Sequence, residues 1–163
     1  MSADDLKLTK IPSTKVGMLI RRPPREVFQA IADPSITTKF WFTKSSGKMT
    51  AGADLLWEWE MYGASSKISV KEVEEYSRIL FGWSGYAPES PTTVEFRFIP
   101  WQDDTTYVQV TETGFSGDAG TLVKSAIDST TGFTFVLSAL KALLEHGIVL
   151  RLVLDARPPG LAV

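Results

Sequence analysis

The sequence predicts an α+β fold in which a long helix near the C-terminus lies on one antiparallel sheet. The first observation is a stretch in which apolar residues recur with helical spacing, namely Phe133, Val136, Leu137, Leu140, Leu143 and Leu144. Such a stripe lines one side of an α-helix and needs a surface to pack on. The second observation is a series of short segments in which apolar and polar residues alternate, as in half-buried strands. Short turns join these segments, which favours an antiparallel meander.

The N-terminal part is predicted to form one strand and two short helices. The strand covers residues 14–20 and ends before Pro23 and Pro24, because proline cannot continue a strand interior. A helix starts near Arg25, since proline is favoured in a first turn, and it stops at Asp33 and Pro34. The second helix is predicted at residues 35–40.

The following strands are predicted at residues 55–61, 68–73, 79–83, 94–98 and 107–113, and Pro100 is expected to close the fourth. Val73 is out of phase with Ile68 and Val70, which predicts a bulge near residues 71–72. The long helix then begins after residue 120. Its polar segment 128–131, followed by Gly132, predicts a kink or a new N-cap, and Gly147 is placed for a left-handed C-cap.

Composition predicts one globular domain over residues 1–163. A hydrophobic content of 44% and a charged content of 22% are ordinary for a globular protein and do not favour a disordered class, and 163 residues can bury a core. Because the net charge is only −2 and no basic cluster occurs, nucleic acid and anionic membrane surfaces are not expected partners. The apolar runs are interrupted, so no membrane span is expected. The absence of cysteine and of an N-terminal apolar run favours a cytoplasmic location.

No catalytic or metal-binding set can be assembled from the sequence. His146 is the only histidine, and its position at a helix end suits an interaction with the helix dipole. Without cysteine, a zinc or copper site of protein ligands is not expected. A serine triad would need His146, and glycine-rich phosphate loops are absent. The sequence therefore assigns no catalytic residue, no metal and no cofactor.

Large apolar side chains from the strands and the helix could line a ligand cavity, because ligand sites are mostly apolar. They are Trp41, Trp57, Trp59, Phe81, Trp83, Phe96, Phe98, Phe133 and Leu137. The alternative is that these rings form an ordinary packed core. Glu58 and Glu60 alternate with the tryptophans and are expected in solvent, although a bulge could turn one inward as an acid or base. Arg97 is expected in solvent or beside a glutamate on a neighbouring strand.

Several motifs in order resemble one known family. They are residues 22–31 (RPPREVFQAI), 33–34 (DP), 39–41 (KFW), 57–63 (WEWEMYG), 81–83 (FGW), 111–115 (TETGF), 132–133 (GF) and 140–145 (LKALLE). Together they are similar to the family named for homology to the activator of the ninety-kilodalton heat-shock protein ATPase. This family belongs to the START and birch-pollen-allergen superfamily. The resemblance covers residues 14–147 and leaves a tail at 148–163. It departs at Phe133, where the family usually has tryptophan.

The resemblance implies a single START-like domain with a helix-grip fold, in which a curved sheet wraps around the last helix. Superfamily members bind lipids, aromatic polyketides or hormones between sheet and helix, and a few catalyse cyclisations or dehydrations there. In such a fold Lys39 and Trp41 would stand near the cavity mouth, and Gly132 would permit close approach of the helix or a bend.

The first functional hypothesis is a protein that binds a small apolar or aromatic ligand. One alternative is a co-chaperone-like interaction module that uses an apolar strip at residues 148–154 to contact a chaperone or another protein. The other is an enzyme like a polyketide cyclase or dehydratase. The tail could also pack on a second copy to form a homodimer.

Overall fold

A seven-stranded antiparallel sheet and one long helix dominate the structure. The computed structural model describes residues 5–84 and 89–163. The strands are β1 Thr14–Ile20, β2 Lys44–Ser45, β3 Asp54–Trp59, β4 Ala64–Glu74, β5 Arg78–Trp83, β6 Thr92–Trp101 and β7 Thr105–Thr113. The helices are α1 Pro24–Ala32, α2 Pro34–Thr37, α3 Ala119–His146 and α4 Leu152–Ala156. The sheet order is β1-β7-β6-β5-β4-β3-β2. The predicted α+β, helix-grip-like architecture is confirmed.

The two short helices follow β1 as predicted. Pro24 occupies the first turn of α1, and the Asp33 side chain accepts a hydrogen bond from the backbone N–H of Ser35 at the start of α2. That hydrogen bond lowers the pKa of Asp33. α2 is shorter than predicted, because it ends at Thr37, whose buried hydroxyl donates to the carbonyl of Ala30 at 2.7 Å.

Local signals account for most strand boundaries. β3 ends at Trp59, two residues earlier than predicted, because a 3-10 turn over Glu60–Tyr62 leads into Gly63 at φ 60. The register of β4 against β5 shifts between Val70 and Glu72, so the predicted bulge is confirmed.

The expectation that Pro100 closes β6 is wrong. The strand continues to Trp101, and Pro100 lies opposite Thr106 of β7. The pairing of β6 with β5 has already stopped at Arg97. Pro100 therefore lies where β6 has a neighbour on one side only, and its missing N–H costs no bond in the centre of the sheet.

The C-terminal half of α3 packs on the sheet. Its buried stripe includes Phe133, Val136, Leu137 and Leu140, and the helix lies against β1. α3 is long and apolar enough to cross a membrane by length and composition alone, but core helices of globular proteins pass the same test. Here the stripe belongs to the core between helix and sheet.

No break interrupts α3, which has its N-cap at Asp118, so the predicted kink or new N-cap at residues 128–132 is wrong. The Thr130 hydroxyl donates to the carbonyl of Ala126 at 2.7 Å, which satisfies this polar side chain within the helix. The predicted C-cap is confirmed: Gly147 has φ 65, and its N–H donates to the carbonyl of Leu143 at 2.9 Å.

Charged groups fix the last turn of α3 to the end of β1. Lys141 Nζ donates to the carbonyl of Leu19 at 2.7 Å and to Glu145 at 2.6 Å. Glu145 also accepts from the backbone N–H of Arg21 at 3.0 Å. Burial raises the pKa of Glu145, but the hydrogen bonds from Lys141 and Arg21 outweigh it and hold the pKa below its usual value.

The tail folds back onto the turn between β3 and β4. Tyr62 Oη lies 2.9 Å from the carbonyl oxygens of both Val153 and Arg157, so its one O–H can donate to either. Leu152 and Val153 of α4 pack against the edge of the core. The preceding segment is exposed, with Ile148 51% accessible. The tail thus places α4 beside one end of the sheet.

Candidate functional site

A cavity of about 610 Å³ lies between one end of the sheet, the first half of α3 and the tail. The sheet contributes the ends of β3, β5 and β7 and the starts of β4 and β6, which meet at the same edge because the strands are antiparallel. This volume is within the range of pockets that hold small molecules. The fold therefore provides a site for a ligand of that size.

Aromatic side chains form one wall of the cavity. Trp41, Trp59, Trp83 and Phe133 line it. Trp83 contacts each of the other three rings, with its centroid 6.1 Å from that of Trp41, 6.5 Å from that of Trp59 and 5.9 Å from that of Phe133. Trp41 and Phe133 are buried, whereas Trp59 and Trp83 are half-buried. These members of the predicted set are brought together at the cavity.

The other members of the predicted set lie in the packed core behind this wall. They are Trp57, Phe81, Phe96, Phe98 and Leu137, all at most 1% accessible, and they are not among the residues that line the cavity. Trp57 packs on Trp41 with ring centroids 4.9 Å apart, and Phe96 packs on Phe133 at 6.1 Å. The core thereby holds the wall rings in place.

Glu112 is a buried carboxyl group that lines the cavity and is not among the residues predicted from the sequence. Only 4% of Glu112 is accessible. Its Oε2 accepts from Trp83 Nε1 at 2.7 Å and from the Thr92 hydroxyl, and its Oε1 accepts from the Ser129 hydroxyl at 2.6 Å. Glu112 of β7 is thus connected to β5, β6 and α3.

A periodic signal for Glu112 is present in the sequence. Val108, Val110 and Glu112 fall at alternate positions of β7, so all three point to the same face of the sheet. All three are buried. The alternation that places the two valines in the core therefore also predicts an inward glutamate.

The first half of α3 lines the cavity with polar residues. Ser125, Asp128, Ser129 and Gly132 line it and fall at i, i+3, i+4 and i+7, which is one face of the helix. Asp128 is paired with Lys124 at 2.6 Å. This pattern is the second signal that was missed, because the segment was interpreted as a kink.

Gly132 does not serve close packing. A Cβ placed on it would have no atom within 4 Å, so the expected close approach of helix and sheet at this residue is wrong. Gly132 is a glycine in the interior of a continuous helix that faces open cavity space.

The tail supplies the remaining wall. Val153, Ala156, Arg157, Pro158 and Pro159 line the cavity. Arg157 is the positively charged side chain among the described lining residues. The tail, which lies outside the stretch with recognisable motifs, therefore contributes directly to the site.

The remaining candidates lie away from the cavity. Glu58 and Glu60 do not line it, and Glu58 pairs with Lys44 at 3.7 Å, as expected for the solvent face. Arg97 is exposed and bonds Glu95 of its own strand at 2.7 Å.

Neither Lys39 nor His146 contributes to the cavity. Both side chains are exposed, and His146 lies in the last turn of α3. Among the described residues, no group of three or more histidine, aspartate or glutamate side chains could hold a metal ion.

Comparison with known proteins gives a family match over most of the chain. The model of the family described as Activator of Hsp90 ATPase homolog 1-like protein matches residues 21–145. No curated protein matches the sequence significantly.

Solved structures share the fold. Protein SSP2350 from Staphylococcus saprophyticus is 28% identical, with a TM-score of 0.73 over 86% of this chain and 96% of that one. DynU16, from the dynemicin biosynthetic locus, is 22% identical, with a TM-score of 0.73 over 84% of this chain and 48% of its own. The Aha1 protein from Colwellia psychrerythraea, solved as a dimer, is 20% identical, with a TM-score of 0.71 over 83% of this chain and 98% of that one.

Proposed function

The chain belongs to the family of Activator of Hsp90 ATPase homolog 1-like proteins, and from this premise we propose that it binds a small, largely apolar ligand with an aromatic or flat body. The observation that carries the proposal is the cavity of about 610 Å³, with its wall of Trp41, Trp59, Trp83 and Phe133. Ligand sites combine such apolar walls with a few polar groups, which Glu112 and the α3 face supply here.

The cavity lies beside α3 where the helix contacts β7 through the Ser129–Glu112 hydrogen bond instead of through apolar packing. The buried stripe of α3 begins at Phe133, and the polar cavity-lining residues precede it in the helix. Phe133 itself also lines the cavity. An apolar ligand placed beside Phe133 and Trp83 would continue the packing of the core. The expected driving force is therefore burial of aromatic surface.

Binding can be measured through the lining tryptophans. Titration with a panel of flavonoids, fatty acids and sterols should quench or shift the tryptophan emission, and calorimetry should give the same dissociation constant. Absence of both signals across the panel would refute the proposal.

A matched pair of variants separates cavity binding from surface adsorption. Gly132→Phe places a ring in open cavity space, whereas Thr134→Phe places one on an exposed position of the same helix outside the cavity. Gly132→Phe should weaken binding by about tenfold or more, and Thr134→Phe should leave it within a factor of about three. Equal effects in two folded variants would contradict a site beside α3.

A protein-interaction role is the second candidate function. It rests on the exposed apolar residues Ile148, Val149 and Leu150, which are 51%, 49% and 40% accessible. Light scattering of the full chain and of a chain that ends after Gly147 would test a homodimer, and stimulation of a chaperone ATPase would test a co-chaperone role. A monomer at all concentrations without effect on the ATPase would exclude both.

An enzyme of the cyclase or dehydratase kind is favoured only by the inward position of Glu112, because such chemistry needs an acid or base in the cavity. Turnover of a bound ligand that stops in Glu112→Gln would support this alternative.

A further inference from the structure

We infer that Glu112 selects ligands that carry a protonated amino group on an apolar body. The inference rests on the proposed function, since it assigns a ligand class to the same cavity. It depends on three features of the site: the hydrogen bonds of Glu112, the charges around the cavity and the aromatic wall.

The hydrogen bonds of Glu112 leave room for one more donor. A carboxylate offers about four acceptor positions on its two oxygens. Trp83 and Thr92 donate to Oε2, and Ser129 donates to Oε1. Oε1 can therefore accept a further hydrogen bond. Since Glu112 lines the cavity, a ligand bound there can supply that donor in place of water.

The partners of Glu112 carry no positive charge. None of the ion pairs among the described residues includes Glu112, and its donors are an indole and two hydroxyl groups. A buried carboxylate is costly unless it is paired or well hydrogen-bonded. A ligand ammonium would supply the missing opposite charge and the missing donor together.

The other charged side chains at the cavity do not take this role. Asp128 lines the cavity but is paired with Lys124 at 2.6 Å. Arg157 lies on the tail wall, and its side chain does not pair with Glu112 among the described contacts. Because Arg157 is positively charged, an anionic ligand is the principal alternative to an amine, and an anionic probe distinguishes the two.

The aromatic wall adds a second attraction for a cation. Trp83 both donates to Glu112 at 2.7 Å and lines the cavity, and its ring contacts those of Trp41, Trp59 and Phe133. Indole and phenyl faces attract ammonium groups, with tryptophan the strongest. An apolar amine would thus meet an aromatic surface beside the carboxylate.

The test compares three probes of one shape: anthracene that carries a single aminomethyl, hydroxymethyl or carboxylate group. Each is titrated by calorimetry at neutral pH against the full chain. The aminomethyl probe should bind about tenfold or more tightly than the hydroxymethyl probe, because a charge-assisted hydrogen bond replaces a neutral one. The carboxylate probe should bind weakest.

The variant Glu112→Gln removes the charge and keeps the shape. It should lower the affinity for the aminomethyl probe to about that for the hydroxymethyl probe, and leave hydroxymethyl binding within a factor of about three. Glu58→Gln is the matched control, because Glu58 lies on β3 outside the cavity. It should leave all three affinities unchanged.

The outcomes separate this inference from the proposed function. Equal affinities for the three probes, or strongest binding of the carboxylate probe, would overturn the amine selectivity and leave a ligand-binding cavity standing. Failure of all three probes to bind would overturn the proposed function itself. If Glu112→Gln does not fold, the comparison of the probes on the unmodified chain still decides whether the cavity prefers an amine.

Discussion

Replacing Gly132 by alanine is expected to stabilise the protein, although Gly132 lies in the middle of its longest helix. Glycine in a helix interior is about 1 kcal/mol less favourable than alanine. A Cβ at this position meets no atom within 4 Å, so no steric penalty is subtracted from that gain. We therefore expect the free energy of unfolding to rise by about 0.5 to 1 kcal/mol.

Gly147→Ala is the matched control, because it makes the same chemical change at the end of the same helix. A Cβ on Gly147 also meets no atom within 4 Å, but Gly147 has φ 65. A non-glycine residue in the left-handed conformation costs about 1 to 2 kcal/mol. The two substitutions should therefore change the free energy of unfolding in opposite directions, and this difference arises from backbone conformation alone.

Thermal unfolding followed by far-ultraviolet circular dichroism is a suitable assay. For a domain of this size, 1 kcal/mol corresponds to a shift in Tm of about 2 to 4 °C. Gly132→Ala should melt about 1 to 4 °C higher than the parent chain, and Gly147→Ala should melt lower. A lower Tm for Gly132→Ala would refute either the unbroken α3 or the open space beside it.

Three further substitutions test the tail, the end of α3 and the buried carboxyl group. Tyr62→Phe removes the hydroxyl that holds the tail, so limited proteolysis should cleave the tail several-fold faster, and an unchanged cleavage rate would contradict this attachment. Glu145→Gln should destabilise the protein at pH 7. The pKa of Glu145 is lower in the folded state than in the unfolded chain, so its carboxylate stabilises the fold at any pH above the unfolded-state pKa. That contribution is lost as the pH falls through the folded-state pKa. In urea denaturation, the free energies of unfolding of the parent and Glu145→Gln chains should therefore converge below about pH 4. A difference that does not change with pH would exclude the ion pair with Lys141 as the source of the destabilisation. Trp83→Phe leaves Glu112 without its indole donor and should lower the free energy of unfolding in urea by about 1 to 3 kcal/mol, whereas no loss would show that this hydrogen bond is dispensable.

Periodicity was sufficient to predict most of the fold. Alternation in Val94, Phe96 and Phe98 reports burial of one sheet face, and the spacing of Phe133, Val136 and Leu140 reports one helix face. β2, with only Lys44–Ser45, was not predicted, because two residues carry no periodic signal. It forms because the segment that follows α2 lies beside β3 and pairs with it, which is a tertiary effect.

The aromatic set illustrates a limit of the same reasoning. Periodicity reports which face of a strand a side chain occupies, but not whether the space above it is filled. Trp57 and Trp59 lie on the same face of β3, yet Trp57 is fully buried and Trp59 lines the cavity. The distinction depends on the position of each residue along the strand relative to α3 and the tail, which only the assembled fold provides.

The cavity itself follows from a change in the character of α3 at Phe133. From Phe133 onward the inward face is apolar and packs on the sheet, whereas from Ser125 to Gly132 the same helix presents polar groups and a glycine. Those groups cannot replace an apolar core, and the sheet end that faces them carries Glu112 with its own hydrogen-bond partners. The two surfaces meet here through the hydrogen bond between Ser129 and Glu112, and apolar packing does not fill the space beside it. A ligand that fills that space must satisfy Glu112 as well as the aromatic wall.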